Sequence, residues 1–535
     1  VYYDRNGDKV TDKWAKSGNN WYYLDESGEM AVDTLIEDGD NYYYVDVNGV
    51  MAANQWVAID NEDAGEDDEP EHYWYYFQAN GKAYKQGDGQ NVALKTINGK
   101  KYAFDDEGKM LYGWVNSTSA ERIDNTDGDA FTQDADYYFG GEDDGAMTTG
   151  WLLMDVTYDD ATNDYELAPV FNEDEDQTRW FYFKSNGKMV KSTVSGQTKE
   201  KTINGKKYAF DTNGAMVAEW SLDTKRASSN VGTSNFADYE KKAEDAQYSM
   251  AWRYYNSVED GARVSKGWFK VVPAEYLNAS KYNDDEDAWY YADGSGHLYA
   301  GEFKTIKGKK YAFKNDGRMI SGLHFISVDK DAPSLTVYDD DDKDLPFDTE
   351  DGFLESALQY NAAGFDCYYF GSGEDGAMKT NKTNITIDGD NFNFYFSKSG
   401  STKGAGINGE KDDKYYLAGM LLKAGTDEKY QAITHVDSKE DGEGWTKLPG
   451  FDEVKAAAGV EAEGVDKVNA AKAACKAFNK KADDLKELYI LKDNNMKLVN
   501  TSGTVAKKNT KNKDGNDYVY VTDNNGNIKV IYVED

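Results

Sequence analysis

The sequence predicts a mainly β protein: a solenoid of short aromatic β-hairpin repeats with loop insertions and a small α+β C-terminal region. Two observations support this prediction. Aromatic runs followed by a short polar turn with Gly recur along the 535 residues, and the composition combines 41 Tyr and 50 Gly with only 6 Pro. Aromatic residues favour strands, and Gly accepts the positive φ of tight turns. Because a single hairpin is marginally stable in water, such hairpins are expected to stack on one another.

One repeat consists of two or three aromatic residues, a polar turn that ends in Gly, and then Met or a substitute. In the clearest copy, residues 21–24 (Trp-Tyr-Tyr-Leu) lead to Gly28 and Met30. Further copies start at Tyr2, Tyr42, Trp74, Tyr102, Tyr137, Trp180, Tyr208, Tyr311 and Tyr368. Repetition of one supersecondary unit predicts an array in which each unit contacts mainly its neighbours.

A longer period indicates duplicated blocks of roughly three hairpins. Trp74, Trp180 and Trp289 lie 106 and 109 residues apart, and Tyr102 and Tyr208 lie 106 apart. Such matching offsets are typical of a duplicated block rather than of chance. The predicted regions are N-terminal hairpin repeats over 1–60, duplicated blocks with acidic insertions over 61–424, and a C-terminal α+β capping region over 425–535.

The charge balance excludes two classes of partner. The chain has 60 Lys and Arg against 98 Asp and Glu, which gives a formal net charge of −38. Nucleic-acid binding needs basic surfaces that neutralise phosphates, and an anionic membrane would repel this chain. No stretch reaches the roughly 18 apolar residues of a membrane helix. We therefore expect no nucleic-acid partner and no membrane insertion.

The beginning of the chain lies inside a repeat. Val1 is followed directly by Tyr2 and Tyr3, without an initial Met or a signal peptide. We therefore expect a processed product or a fragment, with a sorting signal or an enzyme domain outside it.

The C-terminal region changes character and predicts an amphipathic helix within residues 453–491, followed by a hairpin over 518–533 around Gly526. The apolar stripe of the predicted helix consists of Val468, Ala471, Cys475, Phe478, Ala482, Leu485 and Tyr489. The stripe favours a buried thiol at Cys475, with pairing to Cys367 as the alternative. Two cysteines are too few for a disulfide framework.

The sequence contains no motif that predicts catalysis. It has no Gly-x-Ser-x-Gly elbow, no phosphate-binding loop and no His-Glu-x-x-His pattern. Carboxylates occur throughout the chain, so no glycosidase-like pair stands out. The four histidines are expected to lie at the surface or in packing positions: His72, His297, His324 and His435. We therefore expect no catalytic residues and no enzyme activity.

Two acidic patterns bear on metal binding. Asp4, Asn6 and Asp8 begin like a calcium loop, but Lys9 and Ala15 replace the Gly and the carboxylate that such a loop requires. This segment predicts a hairpin turn. The repeated acidic residues before Gly-Ala-Met, at 142–144 and 374–375, predict turn chemistry, with Ca²⁺ as an alternative. No metal ligands are therefore assigned.

The repeat resembles the choline-binding and glucan-binding (cell-wall-binding) repeat families, and is also similar to the repeats of clostridial toxins. The unit of these families has Gly-Trp, a spacer, an aromatic triplet, Gly-x-Met and a Thr-Gly-Trp restart. Here Trp14 with the run at 21–23 and Met30, and the run at 137–138 with 147–151, match it best. The resemblance covers roughly residues 1–420 and implies an extracellular protein at the bacterial surface or cell wall.

The resemblance also implies ligand sites in the form of aromatic boxes between consecutive hairpins. In choline-binding members such boxes hold a quaternary ammonium through cation–π attraction, and in glucan-binding members similar surfaces stack on sugar rings. Carried over residue by residue, the resemblance assigns these box residues: Trp14, Tyr22, Trp114, Tyr138, Met147 and Trp151.

Acidic insertions separate this sequence from the family pattern. They lie at 57–73, 115–136, 152–179 and 269–288, where the family has a short spacer. Insertions at equivalent positions of a repeat array lie on one face, where they either cover the boxes or build new surfaces.

Two functions fit the sequence. The first is a non-catalytic surface protein or adhesin that binds cell-wall polysaccharide, choline-bearing teichoic acid or glucan. The second is a structural subunit that self-associates into an extracellular fibre or sheath, with its pockets filled by side chains of neighbouring copies.

Overall fold

The computed structural model describes residues 1–158, 175–232, 245–338, 345, 347–492 and 494–535. The predicted mainly β hairpin-repeat fold is confirmed. Ten successive two-stranded antiparallel sheets, from β1–β2 to β19–β20, form the first part of the described chain. Larger sheets of three and five strands follow. In the described ranges, no helix combines the length and apolar character needed to cross a membrane.

The strands β1 to β36 are, in order, Lys13–Ser17, Asn20–Leu24, Thr34–Asp38, Asn41–Val45, Gln55–Asp60, His72–Phe77, Lys95–Ile97, Lys100–Tyr102, Trp114–Val115, Tyr137–Tyr138, Gly150–Tyr158, Glu175–Phe183, Lys199–Ile203, Lys206–Phe210, Glu219–Leu222, Trp252–Tyr255, Gly267–Val271, Ala288–Ala292, Glu302–Ile306, Lys309–Phe313, Leu323–Val328, Leu335–Val337, Asp366–Tyr369, Asn381–Ile387, Asp390–Phe396, Gly409–Lys411, Lys414–Leu417, Met420–Leu421, Tyr430–Ser438, Gly442–Leu448, Val460–Glu463, Leu485–Leu491, Lys497–Asn500, Lys511–Lys513, Tyr518–Thr522 and Ile528–Glu534. The helices α1 to α6 are Thr224–Val231, Ala246–Ser249, Ala279–Asn283, Glu350–Ala362, Phe451–Ala458 and Val468–Ala474. Short 3₁₀ turns lie at Ala130–Thr132, Val465–Lys467 and Ala482–Asp484.

A carboxylate-capped turn follows many of the hairpins. After β4, Oδ1 of Asp46 accepts hydrogen bonds from the backbone N–H groups of Asn48 and Val50, both at 2.9 Å. Gly49 supplies the left-handed backbone that closes this turn, with φ of 75°. Asp4 makes the same pair of bonds, so the segment that begins like a calcium loop is a hairpin turn, as predicted.

Methionine after several of these turns joins neighbouring hairpins. The backbone N–H of Met110 donates to the carbonyl of Trp74 at 2.8 Å. The segment that follows the β7–β8 hairpin is therefore bonded to β6 of the preceding hairpin. The same bond recurs from Met51 to Trp21, from Met216 to Trp180 and from Met319 to Trp289. The turn of the next hairpin then packs on the thioether: a Cβ atom on Gly145 would overlap Met110. The Gly and Met of the repeat therefore serve contacts between hairpins.

Two of the acidic insertions cover tryptophans. In the insertion at 115–136, Phe131 packs on Trp114 with ring centroids 6.4 Å apart, and the exposed fraction of Trp114 is 2%. In the insertion at 269–288, the carbonyl of Val272 accepts a 2.7 Å hydrogen bond from Nε1 of Trp220. Of the two expected roles of the insertions, covering rings or building new surfaces, these two segments perform the first.

The C-terminal region differs from the helix predicted within 453–491. That stretch forms α5, β31, α6 and β32 instead of one helix, and the chain becomes extended at Cys475. β32 pairs with β36 in a five-stranded sheet. Strand pairing buries Leu485, Leu488 and Ile490 in the same core as Phe478, so tertiary packing outweighs the helical spacing. The predicted final hairpin is present as β35–β36.

The two cysteines are free and buried in separate cores, Cys367 against α4 and Cys475 beneath β35. The thiol of Cys475 donates to the carbonyl of Thr522 at 3.0 Å. Burial raises the pKa of Cys475 to about 11. Cys475 is therefore a packing residue, which agrees with the expectation of a buried thiol.

Stability is expected to fall with rising pH because of one turn carboxylate. Asp105 accepts two backbone hydrogen bonds, but burial raises its pKa to about 6. An Asp with a raised folded-state pKa stabilises the fold below its unfolded pKa of about 4, and this stability is lost as pH rises through about 6. Asp105→Asn should therefore raise the free energy of unfolding at about pH 8 by about 1–2 kcal/mol.

Urea unfolding at about pH 4, 6 and 8 would measure this effect. The matched control is Asp25→Asn, in another copy of the same turn, where a hydrogen bond from Ser27 lowers the pKa of Asp25. The control should bring no gain at about pH 8. A loss of stability in Asp105→Asn at that pH would contradict the interpretation.

Candidate functional site

Three boxes of aromatic side chains occupy equivalent positions, one on every third hairpin. Box A consists of Trp56, Trp74, Tyr102, Met110, Asp143 and Asp144; box B of Trp151, Trp180, Tyr208, Met216, Glu259 and Asp260; and box C of Trp268, Trp289, Tyr311, Met319, Glu374 and Asp375. The cavity has a volume of about 290 Å³ in box A and about 200 Å³ in box B.

The strand pairing of one hairpin supplies two walls of each box. In box B, Trp151 of β11 lies opposite Tyr182 of β12, and Trp180 lies two residues before Tyr182 on the same face. The indoles of Trp151 and Trp180 are nearly perpendicular, at 83°, with ring centroids 5.9 Å apart. Boxes A and C repeat this geometry at 84° and 6.5 Å, and at 85° and 6.5 Å.

The next two hairpins complete the box. Tyr208 of β14 contacts Trp151 edge-on at 4.9 Å, and Met216 follows in the strand that bonds to Trp180. Glu259 and Asp260 belong to the turn after β16, whose Gly261 packs on Met216. Each box therefore takes side chains from three consecutive hairpins.

Carboxylates stand at the open edge of the rings. In box A, Asp143 accepts a 2.9 Å hydrogen bond from Nε1 of Trp74 and lies 2.9 Å from Nε2 of His72. The bond from Trp74, and then the one from His72, lower the pKa of Asp143. In box B, hydrogen bonding by Ser257 lowers the pKa of Glu259. These groups are therefore negatively charged at neutral pH.

The arrangement suits a small organic cation. The faces of Trp and Tyr attract a cation within about 6 Å of the ring centroid, and Trp does so best. A quaternary ammonium donates no hydrogen bonds, so apolar walls desolvate it at little cost while carboxylates complement its charge. Across the part of the chain that the structure describes, no three His, Cys, Asp or Glu side chains are grouped to hold a metal ion.

One of the six sequence-predicted box residues lines a box, namely Trp151. Trp14 contacts Tyr23 and Tyr43 at 5.2 and 5.0 Å, and its Nε1 donates to Asp38. With Trp21, Tyr43 and Met51 it repeats the walls of a box, but Ala79 and Asn80 stand where boxes A to C have carboxylates.

The other four predicted residues are not brought together as a box. Tyr22 lies on the face of β2 opposite to Trp21. Trp114 and Tyr138 are in contact at 5.1 Å, but Phe131 and Phe181 fill the space around Trp114. Met147 packs in a separate cluster.

Sequence reasoning missed every residue of boxes A and C, and all of box B except Trp151. The signal was present, because Trp74, Trp180 and Trp289 define the long period, and an acidic pair precedes Gly in the three corresponding turns. From the sequence, the acidic residues at 142–144 and 374–375 are interpreted as turn chemistry, with Ca²⁺ as an alternative, and the pair at 259–260 is not singled out.

Parts of this chain match known repeat families and a curated relative. The family model described as "Choline-binding repeat" matches residues 1–35 and 10–56, and a cell wall binding repeat model matches residues 176–189. Residues 1–56 thus carry choline-binding repeats. Glucosyltransferase-S of Streptococcus mutans serotype c is 28% identical over 355 residues, which are 60% of this chain and 20% of the relative. The chain thus spans about a fifth of the length of that curated relative.

Solved structures of choline-binding proteins from Streptococcus pneumoniae are also similar to this chain. CbpJ is 16% identical, with 74% of this chain and 99% of that chain covered and a TM-score of 0.37. Choline binding protein F, solved with a peptidoglycan analogue, is 17% identical, with coverages of 74% and 98% and a TM-score of 0.35. The modular autolysin LytC is 19% identical, with coverages of 60% and 52% and a TM-score of 0.30.

Two tryptophans, Trp114 and Trp180, should respond differently to substitution. Trp114→Leu removes a fully packed ring and should lower the free energy of unfolding by about 2–4 kcal/mol, with ammonium binding retained. Trp180→Leu removes a half-buried box wall and should cost about 1 kcal/mol or less, but lose ammonium binding in box B. Urea unfolding and tetramethylammonium titration measure the two effects. Loss of binding in a folded Trp114→Leu protein, with none in Trp180→Leu, would contradict the assignment.

Proposed function

We propose that this chain is a non-catalytic binding module that attaches to the choline-type cationic groups of a bacterial cell-wall polymer. One observation supports this function above all others: the same box of two Trp, one Tyr, one Met and two carboxylates occurs three times. A site that recurs with the block period is expected where the ligand itself is a repeating polymer.

Electrostatics favours a cation over a neutral or anionic ligand. The net charge of −38 gives the whole chain a negative potential, which raises the local concentration of cations. At each box this long-range field adds to the short-range attraction between the ring faces and the cation. Anionic polymers such as teichoic acid are repelled as chains, so the cationic substituent is the group that the boxes recognise.

Repeated sites explain how weak individual contacts hold a polymer. One cation–π box contributes modestly, by about 0.5–2 kcal/mol or slightly more when the ligand is desolvated. Several boxes on one chain raise the effective concentration of the next ligand group once the first is bound. Attachment to the wall is then strong, although free choline competes at high concentration.

The carboxylate pairs are placed for binding rather than for hydrolysis. Glycoside hydrolysis needs two carboxyl groups on different sides of the scissile bond. Glu259 and Asp260 are adjacent residues of one turn and stand at one edge of box B. We therefore assign no reaction to the boxes. Because the proposed ligand belongs to the cell wall, we propose a location outside the cell, at the wall surface.

Glucan binding is the second candidate. It is favoured by the similarity to Glucosyltransferase-S, which covers 60% of this chain. Exposed aromatic rings stack on the apolar faces of sugars as well as on ammonium groups. Assembly into a fibre or sheath stays a prediction.

Retention on immobilised ligands tests this function. The chain should bind choline–agarose, elute with free choline, and be retained by purified choline-bearing cell walls. A triple variant, Trp74→Leu with Trp180→Leu and Trp289→Leu, removes one wall of each box and should pass through.

The matched control is Trp445→Leu, which removes a tryptophan that packs against Tyr415 outside the boxes. The control should be retained like the unmodified chain. Retention on dextran alone, with no retention on choline–agarose, would replace choline by glucan as the ligand. Equal retention of the triple variant and the control would show that the boxes are not the binding sites.

A further inference from the structure

Boxes B and C have identical walls and identical carboxylates, but among the described residues only box C has a lysine within hydrogen-bonding distance of each carboxylate. Both boxes contain two Trp, Tyr, Met and a Glu-Asp pair. We propose that Lys270 and Lys379 neutralise the carboxylates of box C, so that box B is the stronger cation site and box C discriminates against cations. This inference rests on the proposed function, because it concerns the selectivity of the same boxes.

Lys270 is an exposed cation at the edge of box C. It lies opposite Trp289 in the β17–β18 register and therefore on the face that carries both indoles. Its ammonium group contacts Oε1 of Glu374 and lies 3.5 Å from Oδ1 of Asp287. The hydrogen bond from Lys270 lowers the pKa of Glu374, which therefore stays ionised and paired.

The equivalent position in box B holds an apolar residue. Leu153 lies opposite Trp180 in the β11–β12 register, as Lys270 lies opposite Trp289. The exposed fraction of Leu153 is 47%, so nothing in its surroundings requires an apolar side chain there. One residue therefore distinguishes the two positions, Leu153 in box B and Lys270, which pairs with Glu374, in box C. The described cation that acts on Glu259 is Arg179.

The second carboxylate of box C is paired as well. The ammonium group of Lys379 contacts Oδ2 of Asp375 within the same turn. Val264 takes the place of Lys379 in box B, three residues after the Gly of its turn. The cation described nearest to Asp260 is Lys206, at 4.0 Å with both side chains about half exposed or more. Such an exposed, long contact contributes little.

The paired carboxylate of box C also faces an indole. After the hydrogen bond from Lys270, the indole N–H of Trp289 is the next cause that lowers the pKa of Glu374. In box A, Nε1 of Trp74 donates to Asp143, and there is no lysine in a described ion pair with that carboxylate. In box C, Lys270 and Lys379 already neutralise the two carboxylates. A cation that enters box C is therefore attracted mainly by the ring faces and binds more weakly than in box B.

The chain supplies both templates for the test. Lys270→Leu with Lys379→Val gives box C the residues of box B, and Leu153→Lys with Val264→Lys does the reverse. Lys476→Leu removes an exposed lysine of the C-terminal region and serves as a charge control. Choline is titrated into each protein labelled with 5-fluorotryptophan, and the ¹⁹F resonances of Trp151 and Trp268 report boxes B and C separately. Trp→Phe variants assign these two resonances.

In the unmodified chain, Trp151 should respond at about three- to tenfold lower choline concentration than Trp268. The first double variant should bring Trp268 to the concentration at which Trp151 responds, and added salt should then weaken both sites equally. The reverse variant should move Trp151 to the concentration of Trp268. The Lys476→Leu control should change neither resonance.

Equal responses of Trp151 and Trp268 in the unmodified chain would overturn the inference and leave the proposed function intact. A response of Trp268 that does not change in the first double variant would do the same. If neither resonance moved with choline in any of the proteins, the proposed function would fail, and the inference with it.

Discussion

The array depends on one backbone hydrogen bond between hairpins, from the Met after one turn to the Trp carbonyl of the preceding hairpin. The bond from Met110 to Trp74 is an example. It satisfies polar groups that an isolated hairpin would leave to water, and it fixes the distance at which the aromatic faces meet. The Gly of the following turn packs on the same Met. Three hairpins are thus held by a single residue, and the boxes form where those three meet.

The fold could be predicted because its determinants are local in sequence. Aromatic runs, Asx-Gly turns and the recurring Met lie within about ten residues of one another, and the final hairpin around Gly526 follows from the same rules. The stretch at 453–491 could not be predicted in the same way. Its apolar spacing fits a helix, but β36, which pairs with β32, comes some forty residues later in the chain.

Only part of the candidate site could be predicted for a related reason. A box combines residues about 100 positions apart, such as Trp151 and Asp260, so no local pattern defines it. Trp114 has the expected family spacing, yet Phe131 of an insertion buries it, and sequence alone does not show where an insertion packs. The charge environment is even less local, because Lys270 affects box C through Glu374, which lies 104 residues further on.

The construction of each box from three hairpins has a mechanical consequence. In box B, walls from β11, β12 and β14 and a turn beyond β16 surround one cavity. If the box holds a ligand group as proposed, stretching the chain would separate these hairpins only with loss of that group. Bound polymer would then raise the force needed to extend the array, and release of the polymer would lower that force.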